Sequence, residues 1–146
     1  MKDLAQLLES QNYRKIKFTI SKTNHLLVSG SINGVKGKFI LDTGASNSCV
    51  DFDDVALFKL TTAESKTRAA GAGAIGMFTQ IANSNVLKLG KWKYKNFSLV
   101  VFDMSHVNAA LIEHNAKPVK GIIGADVLME GKAIVDYQSR SLYLKF

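Results

Sequence analysis

The stretch Phe39-Ile40-Leu41-Asp42-Thr43-Gly44-Ala45-Ser46-Asn47 sets a carboxylate directly after three large apolar residues and surrounds it with hydroxyls and small side chains. The apolar run, with Gly37 before it and Gly44 after it, reads as a buried strand. Gly44 permits a sharp turn where a side chain would clash. Asp42 is therefore offered at the end of a buried strand, on a tight loop, with the hydroxyls of Thr43 and Ser46 beside it. A carboxylate in such a place costs stability unless it is hydrogen-bonded or shares a proton with another acid. Two acids that share one proton can divide the work of base and acid between them.

The elements that must position this acid follow the chain. Leu4, Leu7 and Leu8 fall at helical spacing, which predicts a short amphipathic helix in the first eleven residues. From Lys15 the pattern becomes strand-like, through Ile16, Phe18 and Ile20. Asn33-Gly34 between two strand-like runs is a strong hairpin signal, and the returning arm delivers Asp42. Cys49-Val50 continues as strand, and Asp51 or Asp53 is positioned to cap a short helix through Val55, Ala56 and Leu57. The glycine- and alanine-rich run Ala69 to Gly76 then reads as the mobile tip of a β-hairpin, since small residues leave it few packing contacts. It contains a formal Gly-x-Gly-x-x-Gly, but a polar segment precedes it, a strand follows it and lysines stand where the ribose-binding acid belongs, so nucleotide binding is rejected. Val86 to Phe102 is a further hairpin, and Asp103 or Ser105 begins a helix carrying Met104, Val107 and Leu111.

The second informative stretch is Gly121-Ile122-Ile123-Gly124-Ala125-Asp126-Val127-Leu128. Two β-branched residues fill a buried strand, and Gly124 lets a neighbouring backbone come close. Asp126 reads as a helix N-cap. A closing hairpin spans Ala133 to Phe146, whose last strand could pair with another subunit or complete its own barrel.

These two stretches together resemble the aspartic proteases, in their single-domain, retropepsin-like branch. The first is similar to the catalytic loop and the second to the hydrophobic-hydrophobic-glycine strand and helix beside it. The likeness runs from about residue 26 to 146, and divides the chain into an N-terminal helical extension, 1–15, and a retropepsin-like domain, 16–146. It implies an all-β fold, a single-lobe closed barrel with one or two short helices, working as a homodimer. It also implies an aspartic endopeptidase in which Asp42 is catalytic and Thr43, Gly44, Ala45 and Ser46 support the loop. Two-lobed relatives carry two such loops and this chain has one, so the dyad takes Asp42 from each of two copies; symmetric dimers are the commonest oligomers. The family places its flap at the glycine-rich hairpin. Ala72, Gly73, Ala74 and Ile75 of that hairpin, with Ile122, Ile123 and Gly124, are the implied substrate-binding residues. Met77 and Phe78 add to the pocket walls, which favour apolar side chains at the cut. Peptide or protein is the expected substrate, and neither cofactor nor metal is called for.

Other classes are weighed against this. The rival reading is a non-catalytic module with the same fold, used for peptide holding or dimerisation; an acid buried and unused would cost stability, which argues against it. The formal charge of +7 invites nucleic acid, but the lysines are scattered except where Lys91, Lys93 and Lys95 alternate with Trp92 and Tyr94. That is the period of a strand with one wet face, and lysines there discourage edge pairing, so no nucleic acid is expected. A single cysteine excludes an internal disulfide and fits a reducing cytoplasm. Cys49 reads as core, and His25, His106 and His114, which lack metal-ligand spacing, read as surface residues. No apolar run is long enough to cross a bilayer, and the first ten residues do not form a secretory signal.

Ala45 stands where two-lobed relatives often carry a serine whose hydroxyl steadies the ionised carboxylate. Without that bond the shared proton is held to higher pH. A pH–rate profile on a peptide substrate is expected to peak at mildly acidic to neutral pH; a maximum below about pH 3 contradicts this.

Overall fold

The computed structural model describes the backbone of residues 3–64, 69–71 and 74–146, and the side chains of residues 3–63 and 78–146. Asp3 opens helix α1 (Leu4–Ser10): its carboxylate accepts from the Gln6 amide at 2.8 Å while the Gln6 side chain accepts from the Asp3 amide. This reciprocal box satisfies two donors the helix cannot. Strands β1 (Tyr13–Lys17) and β2 (Thr19–Ile20) follow, and then the hairpin of β3 (Leu26–Ile32) and β4 (Val35–Leu41). Asn33 and Gly34 make its two-residue turn with φ of 52° and 84°, the hand that matches strand twist. Asn33 also stitches the barrel: Nδ2 donates to the Phe58 carbonyl and to Asn85 Oδ1, and Oδ1 accepts from the Val86 amide.

After the acid loop come β5 (Cys49–Asp51), a single 3-10 turn at Phe52–Asp54, and β6 (Thr62–Glu64). The helix expected through Leu57 does not form. Phe58 is drawn fully into the core against Phe39, and Lys59 takes a left-handed φ of 57°, which ends helical winding. The hairpin β7 (Ala69–Gly71) and β8 (Ala74–Met77) pairs Gly71 with Ala74; Ala72 and Gly73 lie outside the described residues. The long hairpin β9 (Gln80–Leu89) and β10 (Trp92–Phe102) leads to α2 (Ser105–Glu113), β11 (Gly121–Ile123) and α3 (Ala125–Glu130). The chain closes with β12 (Ile134–Asp136) and β13 (Ser141–Lys145).

Six strands form a closed circuit in the order β3-β4-β11-β5-β10-β9, sealed where Ile32 of β3 pairs with Leu87 of β9. The all-β closed barrel expected from the sequence is therefore present, with α2 and α3 as short helices within it. Inward residues such as Val28, Phe39, Leu87, Leu89 and Val101 are fully buried. Each contributes about 1.5–3 kcal/mol by leaving water. A second sheet, β1-β13-β12, puts the last strand between two others, so it completes its own sheet. The Lys15/Ile16 boundary read from the sequence falls inside β1, whose five residues all pair with β13.

Replacing Asn33 by alanine removes three side-chain bonds and leaves a Cβ on a left-handed backbone. Urea unfolding is expected to show a loss of about 2–3 kcal/mol, and Asn33→Gly, which tolerates the backbone, should lose about 1 kcal/mol less.

Candidate active site

The acid loop is positioned by a strand distant in sequence. β4 ends at Leu41 and β5 begins at Cys49, but the two are not neighbours; β11 lies between them, parallel to β4 (Ile122 opposite Ile40) and antiparallel to β5 (Ile122 opposite Cys49). The fit is tight enough to demand glycine. A Cβ on Gly121 would stand 2.3 Å from the Cys49 carbonyl oxygen, and one on Gly124 would stand 2.5 Å from that of Ala45. The Asp42 amide donates to the Ile123 carbonyl at 2.9 Å, and the Ala125 amide donates to the Ala45 carbonyl at 2.7 Å. Within the loop, the Gly44 amide donates to Asp42 Oδ1 at 2.9 Å. Gly44 was expected to allow a turn where a side chain would crowd, and a Cβ there would sit 3.3 Å from the same carboxylate oxygen.

Asp126 has a different part from the cap read in the sequence. Gly124 is the N-cap of α3, and no side chain caps it. The Asp126 carboxylate reaches back to the acid loop, accepting from the Ser48 amide with both oxygens at 3.0 Å and from Ser48 Oγ at 2.7 Å. Ser48 Oγ in turn accepts from the Gly124 amide at 2.9 Å. Ser48 is 1% exposed, so the acid, the hydroxyl and the amide form a buried clasp between loop and helix. The expectation failed because Ser48, which has no motif of its own, offers Asp126 two donors at once.

Asp42, Thr43, Gly44 and Ser46 are exposed and Ala45 half-buried. In the single chain the acid therefore avoids the burial cost that the sequence reading charged to it, and the argument against a non-catalytic module on that ground falls. Asp42 borders a cavity of about 730 Å³, the size of a typical ligand site. Ile40 and Ile122 form its barrel wall, and Lys22, His25 and the face of α2 form the other. Strand alternation separates the two isoleucines of β11: Ile122 faces the cavity, while Ile123, 1% exposed, packs in the barrel core. Gly124 is buried against the loop. Ile123 and Gly124 thus shape the loop rather than border the cavity. Phe78 is exposed and stacks on Phe52 at 6.0 Å; the side chains of Ala74, Ile75 and Met77 lie outside the described ones.

The three histidines were expected at the surface; His25 and His114 are exposed and His106 is half-buried, and all three border this cavity. The sequence held no signal for this, because the turn carrying His25 and the helix carrying His106 and His114 meet only through the barrel. Even so, no group of three or more His, Cys, Asp or Glu among the described residues is arranged to hold a metal ion. Burial pushes the Cys49 thiol up to about 12, so it stays protonated and is no nucleophile. The lysine-rich strand has its lysines in water, while Trp92 is buried with Nε1 donating to the Lys145 carbonyl. No described helix is long and apolar enough to cross a membrane.

A profile of the family described as aspartyl protease matches residues 28–127. No individual curated protein matches the sequence. Among solved structures, a retropepsin-like aspartic protease from Rickettsia conorii aligns with a TM-score of 0.59 at 21% identity, covering 90% of each chain. An EIAV protease bound to an inhibitor aligns with a TM-score of 0.56 at 21% identity over 76% of this chain and 91% of that one. The retroviral protease-like domain of Ddi1 from Leishmania major gives 0.55 at 20% identity, over 82% and 87%. The barrel described above is thus the retropepsin-like fold.

Ser48→Ala removes the hydroxyl that serves both Asp126 and the Gly124 amide. The expected cost is about 2–3 kcal/mol in urea unfolding, with faster hydrogen exchange at the Gly124 amide. A variant as stable as wild type with an equally protected Gly124 would show that the clasp does not hold the loop.

Proposed function

The chain belongs to the aspartyl protease family, and on that premise we propose that it is an aspartic endopeptidase whose dyad joins Asp42 of two copies. One observation carries this reading: an exposed carboxylate, fixed at the end of β4 by bonds to β11, borders a cavity large enough for peptide side chains. Asp126, the other acid near the loop, has both oxygens engaged by Ser48. The second catalytic carboxylate therefore comes from outside the chain, and a twofold axis through the exposed loop supplies it.

The chemistry follows from two acids about 3 Å apart, which cannot both ionise. The ionised one draws a proton from a water, whose oxygen attacks the scissile carbonyl. The protonated one donates to the carbonyl oxygen, and a proton then passes to the leaving nitrogen. The Gly44 amide, already donating to Asp42 Oδ1, orients the carboxylate. Thr43 braces the two loops across the axis, and Gly44 leaves room for the facing acid. The peptide lies extended, pairing main chain to main chain, beneath the β7–β8 hairpin acting as flap. Ala72, Gly73, Ala74 and Ile75 contact it from that side, and Ile122 from below.

Wild-type protein is expected to cleave a mixed peptide library and to bind a statine-containing inhibitor. Asp42→Asn should lower turnover by about 10³-fold or more while remaining folded and dimeric in sedimentation. Equal turnover by the two proteins removes the enzyme reading and leaves the peptide-holding module.

A further inference from the structure

The cavity wall opposite Ile40 and Ile122 has no part in the chemistry above, yet it carries the cavity's one lysine and all three of the chain's histidines. Lys22 and His25 come from the turn between β2 and β3, and that turn is built to hold its shape. The Ser21 amide donates to the His25 carbonyl at 2.9 Å, the His25 amide donates to Ser21 Oγ at 3.1 Å, and Thr23 Oγ1 stands 2.6 Å from His25 Nδ1. His106 and His114 come from the two ends of α2. This helix is seated by Leu111, 3% exposed, and stapled to the approach to β11 by Asn108, whose amide group bonds both the amide and the carbonyl of Val119.

Both elements are therefore fixed, and they present one ammonium and three imidazoles to a space in which Asp42 is the single carboxylate among the described lining residues. Beneath them the lining is aliphatic, from Ile40, Ile122 and Val107. Among the described residues, His106 Nε2 is the one buried side-chain nitrogen or oxygen without a hydrogen-bond partner. A buried imidazole nitrogen left so is costly until a partner is supplied, and when it carries the proton that partner is an acceptor. Lysine donates only, and imidazole can donate, so the wall suits an acceptor-rich anion on an apolar stem. The dyad itself carries a net negative charge, so a substrate carboxylate beside it would be repelled unless countered from this wall.

We propose that this cavity is a subsite for an acidic side chain, glutamate or aspartate, next to the scissile bond, with Lys22, His25, His106 and His114 as its specificity-determining groups. The proposal rests on the protease reading for the position of the peptide, but the wall's preference for a carboxylate can be measured apart from cleavage. In a twofold dimer the same pocket recurs on both sides of the cut, so acidic residues are favoured on either side of it.

The test uses labelled peptides identical except for Glu, Gln or Leu at one position flanking an apolar bond, at mildly acidic pH. Two quantities are read: kcat/KM with wild-type protein, and Kd with the Asp42→Asn protein, which holds peptides without cutting them. A Glu-to-Gln preference of about tenfold or more is expected in both, falling toward one in Lys22→Met and in His106→Gln. Because His106 packs on Phe102 with ring centroids 6.3 Å apart, the exposed Lys22 decides the matter if His106→Gln does not fold. Cleavage with Glu and Gln treated alike in both measurements overturns the subsite and leaves the protease reading intact. Selective binding of Glu peptides with no cleavage keeps the subsite and overturns the protease reading. Neither binding nor cleavage overturns both.

Discussion

The insertion of β11 between β4 and β5 is the constraint on which the rest of the molecule depends. Three residues, Gly121–Ile123, bridge two strands that the acid loop connects. The loop must therefore travel around the end of a third strand, and its length and direction follow from that. Close approach is possible because two positions lack a side chain, with carbonyl oxygens lying where Cβ atoms would be. Main-chain bonds from Asp42 and Ala125 and the Ser48–Asp126 clasp then fasten the loop at its start, middle and end. The rigidity of the carboxylate derives from packing and backbone bonds contributed by residues about 80 positions further along the chain, as the Ser48–Asp126 contact shows.

This arrangement separates the stability of the chain from the cost of its chemistry. An acid already buried in the single chain would tax the fold throughout its life. Asp42 is exposed instead, and in the proposed dimer its desolvation falls due only when a second copy and a peptide cover it. Two of the buried polar side chains that the chain does keep are well satisfied: Asn85 donates to the Ala82 and Phe97 carbonyls and accepts from Asn33, and Ser48 is bonded on three sides. Such pairing is what makes these two buried side chains tolerable.

The hairpins and the acid loop were legible in the sequence because their signals are local, whereas closure into a barrel, which pairs β3 with β9, was expected only from the family resemblance. Asn33-Gly34 imposes its turn through two neighbouring residues, and the alternation along Lys91 to Lys95 reports a strand with one wet face. Gly124 was read as a site of close backbone approach, and it is one. The illegible parts depend on partners remote in the chain. Ser48 and Asp126 are 78 positions apart, so the acid was assigned to the nearest role available, a cap on its own helix. The histidines were judged by their spacing along the chain, which carries no information about a wall assembled from a turn and a helix. Ile122 and Ile123 look equivalent in a buried run, and only the pleat of β11 assigns one to the cavity and the other to the core.

The pairing of β1 with β13 joins the opening and closing segments of the sequence, from Tyr13 opposite Lys145 to Lys17 opposite Ser141. The Phe146 amide donates to the Asn12 carbonyl, and the Arg14 guanidinium lies 4.0 Å above the Phe146 ring. During synthesis β1 emerges early and waits, its pairing edge open, until β13 has been made. The β3–β4 hairpin can close at once, whereas this sheet joins strands far apart in the chain, which makes it a high-contact-order step of folding.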